Sequence, residues 1–246
     1  KKVGNYTWRG ADHCLPVTDV LADHLRDAGV AEDKITVVHN GVRQPFIDEM
    51  LASPIDLEKD NIVIGFTGFI NPWHGMDKAI EAIAEHKHLP LKLVCIGDGT
   101  ILPELKQQAA DLGIADKVEF KGLVTRDKVL DFVKEFDISL QPDVTAYASP
   151  LKMFEYMAVG SLIIAPRTPN IEEILSDETA VFFEKGNQQS FKASLNEAIE
   201  NYVNYKHKRE AVKQSVIDKG FVWHEHSKRV VGIGHKLAHN QNTSKG

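Results

Sequence analysis

The sequence predicts an α/β protein built on a doubly wound, parallel, six-stranded sheet with helices on both faces and a helical C-terminal extension. Three observations carry that prediction. Short, continuously apolar runs alternate strictly with helical patterns, as in parallel sheets covered on both sides. Six such runs fall between residues 61 and 183, enough for one domain. The composition, 43% hydrophobic and 26% charged over 246 residues, is that of an ordinary globular protein.

The elements follow in order. Residues 12–18 read as a strand, residues 19–28 as a helix ended by Gly29, and residues 34–39 as a second strand. Asn40-Gly41 is a turn signal, and Pro45 and Pro54 flank a short irregular or helical piece, so residues 40–60 mark a boundary. Strands are then expected at 61–67, 91–96, 118–121, 137–141, 162–165 and 180–183. Helices are expected at 76–85, 102–112, 127–135, 150–159 and 171–175, and three more at 188–203, 205–219 and 223–237. The domain partition is therefore 1–45, 46–222 and 223–246, the last comprising one helix and a disordered tail.

Several classes are excluded. Net charge is −6 with no basic block, which gives no nucleic-acid surface. No apolar run approaches the ~18 residues of a membrane span, and no signal-peptide pattern is present. Cys14 and Cys95 sit in apolar runs and are expected to be buried, reduced thiols. No metal spacing appears; His86, His88, His224 and His226 read as surface residues. The chain starts at Lys1 without an initiator Met, and a fragment of a longer, cytoplasmic protein is expected.

In this architecture ligands bind at the carboxyl edge of the strands, so the loops after each strand hold the candidates. The fourth leads to Ser149-Pro-Leu-Lys-Met-Phe-Glu-Tyr-Met-Ala-Val-Gly160. Ser149 suits an N-cap, Pro150 the first helical position and Gly160 the C-cap. Leu151, Phe154, Met157 and Ala158 share a core face, leaving Lys152 and Glu155 on the other. A cation in the first turn opposes the helix dipole unless an anion binds there. Glu155, one turn on, is placed to accept both hydroxyls of a vicinal diol. The alternative is a solvated i,i+3 ion pair.

The first loop, Thr67-Gly-Phe-Ile-Asn-Pro-Trp-His-Gly75, has two glycines for a tight turn and offers His74. Packing by Trp73 and capping by His74 is the other reading. The second, Gly97-Asp-Gly99, lacks the third glycine of a dinucleotide fingerprint, because position 102 is Leu. In the third, Gly122 permits close approach, Thr125 is placed to cap a helix, and the backbones of Leu123 and Val124 are placed to read a base edge. Asn170 and Glu173 stand in capping-box positions after the fifth strand.

Taken in order, these blocks resemble the C-terminal, donor-binding half of GT-B glycosyltransferases, specifically the retaining family often called family 4. Lys34-Ile-Thr-Val-Val-His-Asn-Gly-Val42 resembles its interdomain segment, and Gly68 to Asp77 its first loop. Val94 to Gly99 resembles x-x-I-G-x-G, and Val118 to Val124 resembles V-x-F-x-G-x-V. The helix at Glu155 resembles the second half of its Glu, seven residues, Glu motif. Phe69 and His74 stand where the family has Arg and Lys on the donor pyrophosphate, and Tyr147 where it has its first Glu.

The resemblance implies a nucleoside diphosphate sugar as donor, an acceptor of unknown identity, no cofactor and no metal. It implies His74 and Lys152 on the diphosphate, Glu155 on the ribose, and Gly68, Phe69, Asn71, Gly97, Gly99, Leu123, Val124, Tyr147, Ser149, Pro150 and Leu151 lining the donor. It also implies an acceptor-binding N-terminal domain of the same protein, of which residues 1–45 hold the last segment. Membrane association would run through that domain, in polysaccharide or glycoconjugate biosynthesis. A nucleotide-sugar 2-epimerase or a non-catalytic binding module are the alternatives.

Overall fold

β-Branched and leucine-rich runs, which suit strands buried on both faces, form one parallel sheet in a computed structural model that describes residues 2–243. Its strands are β1 (Ile62–Thr67), β2 (Leu91–Ile96), β3 (Val118–Gly122), β4 (Ile138–Leu140), β5 (Leu162–Pro166) and β6 (Ala180–Phe183), in spatial order β3-β2-β1-β4-β5-β6. The order reverses between β1 and β4, which pair Ile64 with Ile138 and Gly65 with Ser139. The crevice outside that switch point is where such sheets hold ligands.

The helices are α1 (Lys2–Gly10), α2 (Asp19–Asp27), α3 (Gln44–Ala52), α4 (Met76–Glu85), α5 (Leu102–Asp111), α6 (Arg126–Val133), α7 (Leu151–Val159), α8 (Pro169–Glu172), α9 (Gln188–Glu200), α10 (Lys206–Asp218) and α11 (Trp223–Thr243). Successive strand residues point to opposite faces, so Leu93 and Cys95 join the core under α4, α5 and α9, while Val94 and Ile96 join the one under α3, α6, α7 and α10. Each large apolar side chain so buried contributes about 1.5–3 kcal/mol.

Two ties hold α7 in place. Tyr156 is fully buried, and its hydroxyl accepts from the Thr67 amide at 2.8 Å and bonds Thr67 Oγ1 at 3.0 Å. At the other end the Gly160 carbonyl accepts from Arg209 Nε at 2.8 Å. Arg209 is itself buried beside Asp137, which takes bonds from the Val63 amide (2.9 Å), the Tyr202 hydroxyl (3.0 Å), Lys59 (3.1 Å) and Arg209 Nη2 (3.2 Å).

The two strands expected before residue 40 are reduced to a single parallel bridge, Cys14 with Ile35. Among the described residues three backbone bonds join them, one of them Cys14 N to the Lys34 carbonyl at 2.7 Å, together with a side-chain bond between His13 Nε2 and Thr36 Oγ1 at 2.9 Å. Two strands with no sheet beside them cannot extend a ladder on both sides. This segment docks on the carboxyl edge: Thr18 Oγ1 donates to the Tyr147 carbonyl (3.2 Å), and Asn40 Nδ2 to the Ser149 carbonyl (2.7 Å). Glu173 accepts the first amides of α2, from Asp19 (2.8 Å) and Val20 (3.1 Å), and bonds His39 at 3.0 Å.

That use of Glu173 removes the expected capping box. Thr168 takes the N-cap position, α8 ends at Glu172 rather than 175, and Asn170 donates to the Thr145 and Ala148 carbonyls instead. Two of the four histidines read as surface residues are buried: His86, bonded to the Ala82 carbonyl, and His226. Both thiols are free, Cys95 fully buried but Cys14 only partly. Helix α1 had no counterpart in the sequence reading, and α11 runs six residues beyond the expected 237. The final residues of the expected tail, 244–246, lie outside the described residues. Among the described residues no helix is long and apolar enough to cross a membrane.

Candidate functional site

Helix α7 starts at the switch point, and its first turn differs from the sequence expectation. Pro150, at φ −66° and ψ 119°, is the extended residue before the helix, and Leu151 is the first helical one. Proline biases the residue before it away from helical geometry, and Asn40 holds the Ser149 carbonyl. Ser149 Oγ is therefore no cap; it is buried without a partner. No side chain caps the helix, so its first amides face the loop region uncapped. Leu151 is 41% exposed rather than core, whereas Phe154, Met157 and Ala158 are fully buried as expected.

Lys152 and Glu155 do not pair. The Lys152 ammonium donates to the Thr67 carbonyl at 3.0 Å and lies 4.2 Å from the centre of the Phe66 ring. It sits beside Gly68, on the floor of the crevice. No carboxylate salt-bridges it among the described residues. Burial pushes its pKa down to about 7. An anion arriving here would replace lost water with charge.

Glu155 points to the side of α7, where Arg126 Nη2 reaches its Oε1 at 3.0 Å. Its side chain is 12% exposed. Burial raises its pKa above the ordinary glutamate value, and Arg126 and Arg43 pull it back. The carboxylate lines a cavity of about 390 Å³ with Arg43, Phe46, Arg126, Leu130 and Trp223.

His74 closes a short 3-10 turn (Pro72–His74): Asn71 N donates to its Nδ1 at 3.2 Å, and the Asn71 side chain caps the turn in return. The capping alternative is thus real, and the proton of the neutral ring falls on Nε2. Burial and then the Lys152 charge lower the His74 pKa, against Asp143 and a bond with the Phe69 backbone, so the ring is neutral at physiological pH. It faces a smaller cavity of about 150 Å³ with Trp73, Asp143 and Gln188.

The glycines after β2 have a packing reason. A Cβ on Gly97 would stand 2.0 Å from the Gly68 carbonyl oxygen, and one on Gly99 2.0 Å from that of Ile70. They let the first two loops lie against each other. Gly122, at φ +68° with open space around it, leaves the third loop accessible, and Leu123 beyond it is 75% exposed. Val124 packs on the core. Phe69 and Tyr147 are both exposed, the latter edge-on to His24 at 6.5 Å. Thr125 stands at the N-cap of α6, with its side chain bonded to Asp127.

Sequence reasoning missed Arg126, Arg43 and Asp143. Arg126 follows Val124 by two residues and was readable as an edge residue; Arg43 reaches the site only through the path of the linker. Asp19, His39 and Glu173 bring three ligand-type atoms within 4.8 Å of one another. The Glu173 oxygens already accept from two amides and His39, a structural role.

This architecture is that of the Rossmann-like half of GT-B glycosyltransferases. A Rickettsia africae glycosyltransferase superposes with a TM-score of 0.78 at 18% identity, over 97% of this chain and 68% of the other. An Anabaena protein, Alr3699/HepE solved in complex with UDP, gives 0.68 at 18%, over 95% and 64%. By sequence, the model of the glycosyl transferases group 1 family matches residues 50–216, and the chain belongs to that family. The Saccharomyces cerevisiae phosphatidylinositol N-acetylglucosaminyltransferase GPI3 subunit is 25% identical over 94% of this chain and 52% of its own. A D-inositol 3-phosphate glycosyltransferase of Acidothermus cellulolyticus is 28% identical over 68% and 41%. The chain spans about half the length of these curated relatives.

Proposed function

We propose that this chain is the donor-binding half of a family 4, retaining glycosyltransferase that moves a sugar from a nucleoside diphosphate sugar to an acceptor. The observation that carries it is the unpaired Lys152 ammonium at the switch point, beside the uncapped start of α7 and one turn from Glu155. The diphosphate gains charge as it leaves, and a preorganised cation with helix amides stabilises that charge without a metal. His74 borders the diphosphate as a neutral ring beside Lys152. Glu155 accepts the ribose hydroxyls, and the Leu123 and Val124 backbones border the base. Structural neighbours solved with UDP support a UDP-sugar as the first donor to try.

In this reading residues 1–45 belong to an acceptor-binding half, residues 46–222 hold the donor, and residues 223–246 cross back. The chain alone binds donor without turnover, and association with a membrane would run through the acceptor-binding half. Thermal-shift titration with UDP, GDP, ADP and their sugars should show stabilisation by one base class. By calorimetry Glu155→Ala should weaken that nucleotide by about 1–3 kcal/mol. Unchanged affinity in the variant removes Glu155 from the site.

A further inference from the structure

We propose that Arg126 is a positioning residue: it aims the Glu155 carboxylate and, with the charge of Arg43 on the same cavity, holds it ionised, so that its second oxygen is left for ribose hydroxyls. The inference rests on the donor-binding reading above. Arg126 is the first residue of α6, and its side chain is 76% exposed while that of Glu155 is 12% exposed. The contact is one-sided. Nη2 donates to Oε1 at 3.0 Å, and among the described residues no second hydrogen bond reaches the carboxylate. A carboxylate has about four lone-pair sites, so a guanidinium on one oxygen does not close the other.

An exposed partner contributes little to folding. Its effect falls instead on a buried carboxylate, which burial alone would drive towards the neutral form. The charged groups on this cavity are Arg126 and Asp127 from α6, Arg43 ahead of α3, and Glu155 from α7; α11 contributes the uncharged Trp223. Lys152, one turn back, reaches the Thr67 carbonyl rather than this carboxylate. Two guanidiniums against one further carboxylate favour ionised Glu155. A protonated Glu155 would spend one oxygen as a donor and hold a diol less well.

The test compares UDP with 2′,3′-dideoxy-UDP on the full chain, for wild type, Arg126→Gln and Arg126→Lys, from about pH 8 to about pH 5. The ratio of the two affinities isolates the hydroxyls, because phosphate, Lys152 and His74 titrate alike in both. The preference for UDP should vanish at a higher pH in R126Q than in wild type, about tenfold in the ratio per unit of displacement. R126K should restore the wild-type profile, and melting temperatures should match. An unchanged ratio in R126Q overturns the proposal. So does an equal loss of both nucleotides, which would place Arg126 on the base or diphosphate itself. If wild type binds the two equally, Glu155 does not read ribose and the proposal falls with it, while the donor reading stands. If neither binds, and GDP and ADP do not stabilise the chain either, that reading falls too; if GDP or ADP stabilises it, the same comparison with that nucleotide and its dideoxy form decides the proposal.

Discussion

Lys152→Met is expected to weaken nucleoside diphosphate binding roughly 10- to 150-fold while raising the melting temperature. A charged hydrogen bond to phosphate is worth about 1.5–3 kcal/mol, which sets the first figure. The second follows from an ammonium whose pKa burial has pushed down to about 7. Between about 7 and the ordinary lysine value the unfolded chain binds one proton more than the folded one, so stability rises with pH across that window. The penalty is fully present below about pH 7. Removing the amine should gain about 2 kcal/mol there, or roughly 4–8 °C, shrinking towards pH 10. Because a bound diphosphate raises the lysine pKa again, wild type should take up a proton on binding UDP near pH 7.5. Calorimetry in two buffers of different ionisation enthalpy measures this. A variant that binds UDP normally, or melts with the same offset from wild type at every pH, would show that Lys152 is only a packing residue.

Asp137→Ala should destabilise the fold by about 3–5 kcal/mol, because it leaves buried Arg209 without its carboxylate. The Val63 amide and the Tyr202 hydroxyl lose their acceptor as well. Arg209→Met should cost less, since the buried Asp137 carboxylate keeps the Lys59 ammonium, the Val63 amide and the Tyr202 hydroxyl as partners. Urea melts of the two variants decide it. Equal costs would mean that the bonds of Asp137 to Val63 and Tyr202 contribute little beside its pairing with Arg209. The network lies at the amino end of β4, opposite the end that carries the switch-point loops, so nucleotide affinity in whatever fraction remains folded should be that of wild type.

How far the site was legible varies with the range of the interaction. The faces of α7 were readable: Phe154, Met157 and Ala158 follow helical spacing and are buried. Leu151 obeys the same spacing yet is 41% exposed, because it is the first helical residue, one later than its proline suggests, whereas Met153 in the same turn is buried. Lys152 and Glu155 were found because a cation in a first helical turn breaks a local rule. Their separation was not, since the Thr67 carbonyl and Arg126 are 85 and 29 residues away in the chain. The resemblance puts Gly97 and Gly99 on the donor; only the packed loops show that the Gly68 and Ile70 carbonyls require them.

By itself the sequence determined the alternation of strand and helix, the parallel sheet, and the edge on which chemistry must lie. Each follows from periodicity and turn chemistry acting over a few residues. The tertiary structure alone decided which polar groups meet. Glu173 looks like a local cap and instead seats the start of α2, and Arg126, which the sequence did not single out, reaches a buried carboxylate from α6. Burial and partner charge set the state of Lys152, His74 and Glu155. Those depend on segments brought together by the fold, which no short window of sequence contains.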